Sequence, residues 1–500
     1  MLQLLTVFMR KFFTLLALTL LYICTARAQS KNPSYSQSIE EKIARVEAGL
    51  GGWVKIEDSL STRTLKQQMA LYKVHGVSIA VIRDFKLEWA RGYGYADTSD
   101  KRPVTTATLF QAASISKSLN AMGVLKLVDQ KKIDLQQNIN TWLKSWKFPE
   151  DSFTRTQKIN VAHLLSHTAG LSVHGFPGYH WKDSLPGDNE ILDGQRPANT
   201  KAVRSLFEPG KKFQYSGGGT TITKKIIADV TNDAYDNYMH RQVLEPMGMV
   251  GSFFSQPPPP GAFPYLATAY YADGKPVSGK FHIYPEQAAD GLWTHPSDLA
   301  KFIIELQLSL QGKSNKVLSK EMAVAMVTPY IDQSAALGVF ISEKGKKKYF
   351  QHGGANEGFR CQYFGSLENG DGVVVMVNSD NGAIIQEIIN SVATVYGWKD
   401  FYTPTIKKTV RVPADTLKAY VGDYQLVTNK LSITQHGNHL FLVDHNSKDS
   451  SRMYFTDNRS FFIYEVPAEL QLTRNNSGQV NGLLLKQNGR EFTFTRSGMQ

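Results

Sequence analysis

Apolar spacing along the chain predicts helix from about Ser38 to Leu71. The runs His75–Ile82 and Lys86–Ala90 then predict two strands about a short turn. The next clear helix begins near Ser114, where Ala121, Val124, Leu125 and Val128 fall at i, i+3, i+4 and i+7 and form a stripe for burial. Helical and loop segments continue to about residue 330, interrupted by the rigid extended run Pro257–Pro260. Strand patterns return at Leu337–Ser342, Lys348–Gln351, Phe359–Phe364 and Asp371–Asn378, followed by a helix over Ala383–Tyr396. Strands at both ends of a helical stretch predict an α+β body: one antiparallel sheet flanked by helices, with a mostly helical lobe.

The pattern changes after residue 401. Residues 402–413 contain Pro404 and Pro413 and little apolar order, which predicts a linker. Beyond it, short alternating stretches recur at Lys430–Thr434, Leu440–Val443, Ser460–Tyr464 and Glu491–Thr495, with turns such as Asn488-Gly489 between them. These predict a small all-β barrel or sandwich. A chain of 500 residues also exceeds one core. The expected division is a leader over 1–28, a body over 29–401, the linker, and the β domain over 414–500.

The leader is read from charge and apolar length. Arg10 and Lys11 precede the apolar run Phe12–Cys24, and Ala26-Arg27-Ala28 follows as a small-x-small site, the order of a secretory signal peptide. The run is too short for a membrane helix, which needs about 20 residues. Met1 and Met9 both offer a start, and Met-Arg-Lys opens the more typical leader. Bulky Tyr22-Ile23 argue against a lipid anchor on Cys24. A periplasmic or secreted protein is expected, with no transmembrane helix in the mature chain. Removal of the leader would leave Cys361 as the single cysteine, in a strand pattern that suits a packed thiol. The formal charge of +12 is scattered along the chain, without the clustering that nucleic-acid binding requires.

Three motifs carry candidate chemistry. Ser114-Ile115-Ser116-Lys117 puts a hydroxyl and an ammonium on one helix face. A neighbouring base makes serine a nucleophile, and a lysine serves when burial and nearby positive charge depress its pKa. Tyr215-Ser216-Gly217, before two further glycines, lets a tyrosine project from a tight loop as a proton carrier. In His352-Gly353-Gly354-Ala355, glycines at a strand edge admit a substrate backbone and free an amide as an oxyanion donor. Taken singly, each motif also fits a plainer account: a helix cap with a surface lysine, a half-buried aromatic on a glycine loop, and a hairpin turn with an exposed histidine. His163 and His167 have the spacing of two zinc ligands, but Leu164 stands where a zinc protease needs its glutamate.

Taken in order, Ser-x-x-Lys, Tyr-Ser-x and His-x-Gly resemble the serine β-lactamase and penicillin-binding protein superfamily. The branch most resembled holds the class C β-lactamases and their D,D-peptidase, D-aminopeptidase and esterase relatives. His163–Leu171 and Asp290–Leu299 resemble landmarks of that branch, and Tyr420-Val421-Gly422-Asp423-Tyr424 resembles its appended β-barrel. The resemblance implies a β-lactamase/transpeptidase-like fold and an acyl-enzyme on Ser114, with Lys117 assisting deprotonation and Tyr215 shuttling protons. It also implies an oxyanion hole from the amides of Ser114 and Ala355, with His352, Gly353, Gly354 and Gly217 at the substrate. Two departures stand out. Gly217 replaces an asparagine that holds a substrate amide, and His352-Gly353-Gly354 replaces Lys-Thr-Gly, which binds a carboxylate. The expectation is an exported serine hydrolase of D-amino-acid peptides, esters or β-lactams, including cell-wall peptides, without metal or cofactor. The alternative is a non-catalytic penicillin-binding or envelope sensor protein on the same fold.

Overall fold

A computed structural model describes residues 32–57, 63–445, 450–464, 466–487 and 490–498. The leader expected over 1–28 and the turn Asn488-Gly489 lie outside them. The chain forms two compact units. The first runs to Arg45 and resumes over Lys66–Ile385, and the second takes Val46–Leu65 and Gln386 onward.

The first unit is built on a seven-stranded antiparallel sheet. Its order is Arg102–Pro103, Lys86–Asp97, Gly76–Arg83, Gly372–Val377, Phe359–Ser366, Lys347–Asn356 and Phe340–Lys344. The two central strands come from opposite ends of the unit and pair as Ile79 with Val375 and Ala80 with Val374. Both are covered on both faces, which explains apolar runs broken only by the buried Ser78 before Arg83 ends the first strand. Pro103, which cannot donate to a ladder, is confined to an edge. Across the sheet lies the helix Pro296–Leu310, started by proline and capped by His295, which accepts from the Asp298 amide. Its Phe302 ring packs edge-on against Tyr363 with centroids 5.5 Å apart. The lobe inserted between the central strands centres on the helix Ser116–Asp129, buried over most of its surface rather than on one stripe.

The second unit carries a nine-stranded antiparallel sheet curled into a nearly closed barrel. Tyr424, Leu431, Ile433, Leu440, Leu470, Leu483 and Phe494 fill it. The chain is therefore α+β with a terminal all-β barrel. Among the described residues, no helix is long and apolar enough to cross a membrane.

The helix expected over Ser38–Leu71 is broken. The chain forms Gln37–Ala48, a strand Val54–Ile56 and a second helix Leu65–Leu71. Gly51 lies where a Cβ would come within 2.8 Å of the Tyr402 ring, a closeness only glycine permits. The strand after it pairs in parallel with Thr405–Lys407, inside the segment the prolines mark as linker-like.

Candidate active site

Local pairing brings the site together. The short strand Phe110–Gln111 pairs with Trp293–Thr294. Next to it the Ala112 amide donates to the Leu292 carbonyl at 2.8 Å. The Leu292 amide in turn donates to Ser116 Oγ at 3.0 Å. These bonds hold the end of the short helix Gln287–Asp290 against the turn that presents Ser114. Ala113, immediately before the serine, has φ +47°, a left-handed conformation that costs about 1–3 kcal/mol and is kept only where the surroundings enforce it. Buried Cys361 donates to the Ala112 carbonyl at 3.2 Å, and burial pushes its thiol pKa up, so it braces the turn as a packed thiol.

Lys117 follows one turn later and is 2% exposed. Its ammonium donates to Ser114 Oγ at 2.9 Å, to the Ala289 carbonyl at 2.8 Å and to Asp290 Oδ1 at 3.3 Å. Ser114 donates its own hydrogen to Asp290 Oδ1 at 3.0 Å. Burial by itself would lower the Lys117 pKa, but the Asp290 carboxylate and Tyr215 outweigh it and hold the ammonium above the ordinary lysine value. The expected depression by nearby positive charge is therefore absent, because the near neighbour is an acid. Asp290 is the residue of the candidate site that lies outside the three motifs. Its signals were its place at the head of the landmark stretch Asp290–Leu299 and its setting as a lone acid in Ala288-Ala289-Asp290-Gly291-Leu292, where a buried charge needs a partner.

Tyr215 sits with its ring centroid 5.2 Å from Lys117 Nζ. Its ring lies tilted against His167, with centroids 4.2 Å apart, and against His174, at 4.8 Å. The expected glycine loop is instead the first turn of the helix Gly217–Thr231, capped by Ser216, whose Oγ accepts from the Gly219 amide at 2.9 Å. Glycine is a poor helix former, but here close packing decides. A Cβ on Gly217 would meet Phe176 at 3.0 Å and the His174 carbonyl at 3.2 Å. The space that an asparagine would use is filled by the segment 174–176. Asn120 Nδ2 bonds Thr223 Oγ1 at 2.8 Å and ties this helix to the one bearing Lys117.

The third motif extends its strand further than expected, through Asn356. His352 is buried within it, not exposed on a turn. Its Nδ1 bonds the Gly353 carbonyl at 2.7 Å, and burial pulls its pKa down to about 4. Its ring lies 6.3 Å from that of Tyr215. Gly354 faces the nucleophile turn so closely that a Cβ would sit 2.2 Å from the Ala112 carbonyl. Ala355, the next residue, is exposed, and Asn356 Nδ2 bonds both Gln111 Oε1 at 2.8 Å and the Asp290 carbonyl at 3.0 Å. The structure thus brings Ser114, Lys117, Tyr215 and His352 together, with Gly217 and Gly354 at the edges.

His163 and His167 take separate duties. The first accepts from the Asn160 amide in a capping box, and the second accepts from the Ser216 amide at 3.2 Å. Among the described residues, no group of three or more His, Cys, Asp or Glu side chains is placed to hold a metal ion.

The chain is similar to several known proteins. Penicillin-binding protein 4* of Bacillus subtilis (strain 168) is 20% identical over 81% of this chain and 91% of its own length. The octameric penicillin-binding protein homologue from Pyrococcus abyssi superposes with a TM-score of 0.57 at 21% identity, over 87% of this chain and 97% of that one. The D-amino acid amidase from Ochrobactrum anthropi SV3 gives 0.55 at 21% identity, over 72% and 99%. The sequence pattern of the Beta-lactamase family matches residues 62–387, so the chain belongs to that family, whose members are mostly serine hydrolases.

Proposed function

We propose that this protein is an exported serine hydrolase that transfers an acyl group from an amide or ester to Ser114 and then to water. The carrying observation is the 2.9 Å bond from a buried Lys117 ammonium to Ser114 Oγ, with Tyr215 beside the same ammonium. Oγ forms the new bond to the substrate carbonyl carbon, and the ammonium stabilises the charge that develops on it. The Tyr215 hydroxyl exchanges protons with the leaving group and later with the deacylating water. The amides of Ser114 and Ala355 are the proposed oxyanion donors. Export rests on the leader over 1–28.

The same geometry supports small substrates. No side chain reaches out from Gly217 to hold an amide, and a neutral His352 offers a carboxylate no ion pair. A charge-assisted hydrogen bond is worth about 1.5–3 kcal/mol and a neutral one about 0.5–1.5. Losing one of each lowers recognition of penicillins by roughly 30- to 1,000-fold. Short esters and D-aminoacyl amides are therefore the proposed substrates, ahead of acyl-D-Ala-D-Ala and β-lactams. The test is a hydrolysis screen of these classes with nitrocefin beside a Ser114→Ala control. Fluorophosphonate labelling that survives Ser114→Ala, or nitrocefin turnover faster than ester turnover, overturns the corresponding half of the proposal.

A further inference from the structure

The roles given above leave unexplained what receives the Ser114 proton. Lys117 has three N–H bonds as an ammonium, and the three acceptors Ser114 Oγ, the Ala289 carbonyl and Asp290 Oδ1 lie in reach of them, with the Tyr215 hydroxyl as a further partner. A neutral lysine would have two hydrogens for those three acceptors. With its donors committed, Lys117 has no lone pair to offer. Ser114 Oγ, which receives the ammonium on one lone pair, sends its own hydrogen to Asp290 Oδ1 at 3.0 Å.

A buried carboxylate is costly unless paired, and the ion pair with Lys117 accounts for its presence. A counter-ion alone would need contact only with the ammonium. Here one oxygen, Oδ1, faces both the ammonium and the hydroxyl of the nucleophile, and Asp290 is 3% exposed. Its position is fixed from three sides by the Leu292 amide bond to Ser116, the Asn356 bond to its own carbonyl, and the Lys117 bond to Ala289. Backbone and side chain are both held, as a proton acceptor must be to meet a reacting hydroxyl within hydrogen-bond reach.

We propose that Asp290 is the catalytic base of acylation, with Oδ1 taking the Oγ proton, and that Lys117 acts as its charged partner. The proposal rests on Ser114 being the nucleophile. As Oγ bonds to the carbonyl carbon, the Oγ–H bond breaks and the proton moves to Oδ1. Collapse of the tetrahedral species breaks the bond to the leaving group, which departs with a proton supplied from Lys117 through Tyr215. Asp290 then returns its proton to Lys117 across 3.3 Å. The four groups end acylation with the protons they began with, less the one Ser114 has lost to the leaving group. Water enters deacylation by the reverse path and restores it.

The test uses the full chain with p-nitrophenyl acetate, following the burst of p-nitrophenol that reports acylation. Asp290→Asn keeps an acceptor and removes the base, and its burst rate should fall by roughly 10²–10⁴. Asp290→Ala should fall as far and recover in part when formate is added, because formate can occupy the vacated space and take the proton. Asp290→Asn, with the space filled, should ignore formate. A burst rate in Asp290→Asn equal to or above that of wild type means that Lys117 freed of its partner is the base, and overturns the proposal. A folded Asp290→Ala that formate leaves unchanged overturns it too, and decides the matter if Asp290→Asn fails to fold. Labelling of Ser114→Ala by a fluorophosphonate would instead defeat the nucleophile assignment, whatever the Asp290 variants do.

Discussion

Gly354→Ala isolates one close approach on which the site depends. The added methyl carbon would stand 2.2 Å from the Ala112 carbonyl oxygen and 2.5 Å from Cys361 Sγ, where ordinary contact begins at 3.4 Å. Relief requires the strand Lys347–Asn356 or the turn at Ala112–Ser114 to move by about 1 Å, a misplacement that can cost about 10² in rate. Overpacking of this kind also destabilises by about 1–3 kcal/mol. Gly353→Ala is the control from the neighbouring residue. Its methyl would first meet the end of the Gln362 side chain, at 3.1 Å, and that side chain can swing aside. The expected result is a kcat/KM for p-nitrophenyl acetate at least about 10²-fold lower in Gly354→Ala and within a few-fold of wild type in Gly353→Ala. Circular dichroism would establish that both are folded. Equal activity in the two variants would refute the idea that contact between this strand and the nucleophile turn sets the site's geometry.

Other expectations follow from the same contacts. Lys117→Ala and Tyr215→Phe should each lower turnover by roughly 10²–10⁴ while melting cooperatively, and near-wild-type turnover in Tyr215→Phe would assign the proton transfers elsewhere. Gly217→Asn should lower Tm without improving turnover of acyl-D-Ala-D-Ala, because Phe176 and the His174 carbonyl already fill that space; a gain in turnover at unchanged Tm would show that the segment 174–176 yields. Stability should peak near pH 6.5. Burial holds His352 and His163 near 4, so below about 6.5 the unfolded chain binds protons that the native one refuses, and stability falls with pH. Burial raises Glu286 to about 8, so from about 4.5 to 8 the native chain holds a proton that the unfolded one has lost, and above about 6.5, where the histidines no longer oppose it, stability falls as pH rises. Glu286→Gln should flatten that alkaline side, and thermal melts from pH 4 to 8 that show no such change would contradict its burial as a neutral acid.

What could be read from sequence were the features that repeat locally. The central strands announced themselves by largely apolar runs, and Ser114 with Lys117 by helical spacing. Features set by tertiary closeness were hidden. Three glycines after Ser216 point to a loop on propensity alone, yet they begin a helix because a Cβ on Gly218 would meet Val203 at 2.6 Å. Asp290 is 176 residues from Ser114, and tertiary bonds such as the pairing of Gln111 with Trp293 and of Ala112 with Leu292 bring them together. The turn of sign in the Lys117 shift followed from the same omission. Gly49, Gly51 and Gly52, by contrast, were visible breakers whose weight was set too low against the apolar spacing around them.

The parallel pairing of Val54–Ile56 with Thr405–Lys407 also governs when the chain can fold. Val54 emerges from the ribosome long before Thr405, and at about 5–20 residues per second the 351-residue gap between them takes roughly 20–70 s to synthesise. The central sheet waits almost as long, since Ile79 needs Val375. Throughout that interval the early strands expose unpaired amides and carbonyls that invite pairing with another chain. Soluble yield should therefore respond to the rate of synthesis and to chaperone supply, and a chain that stops before residue 372 should aggregate rather than accumulate as a folded half.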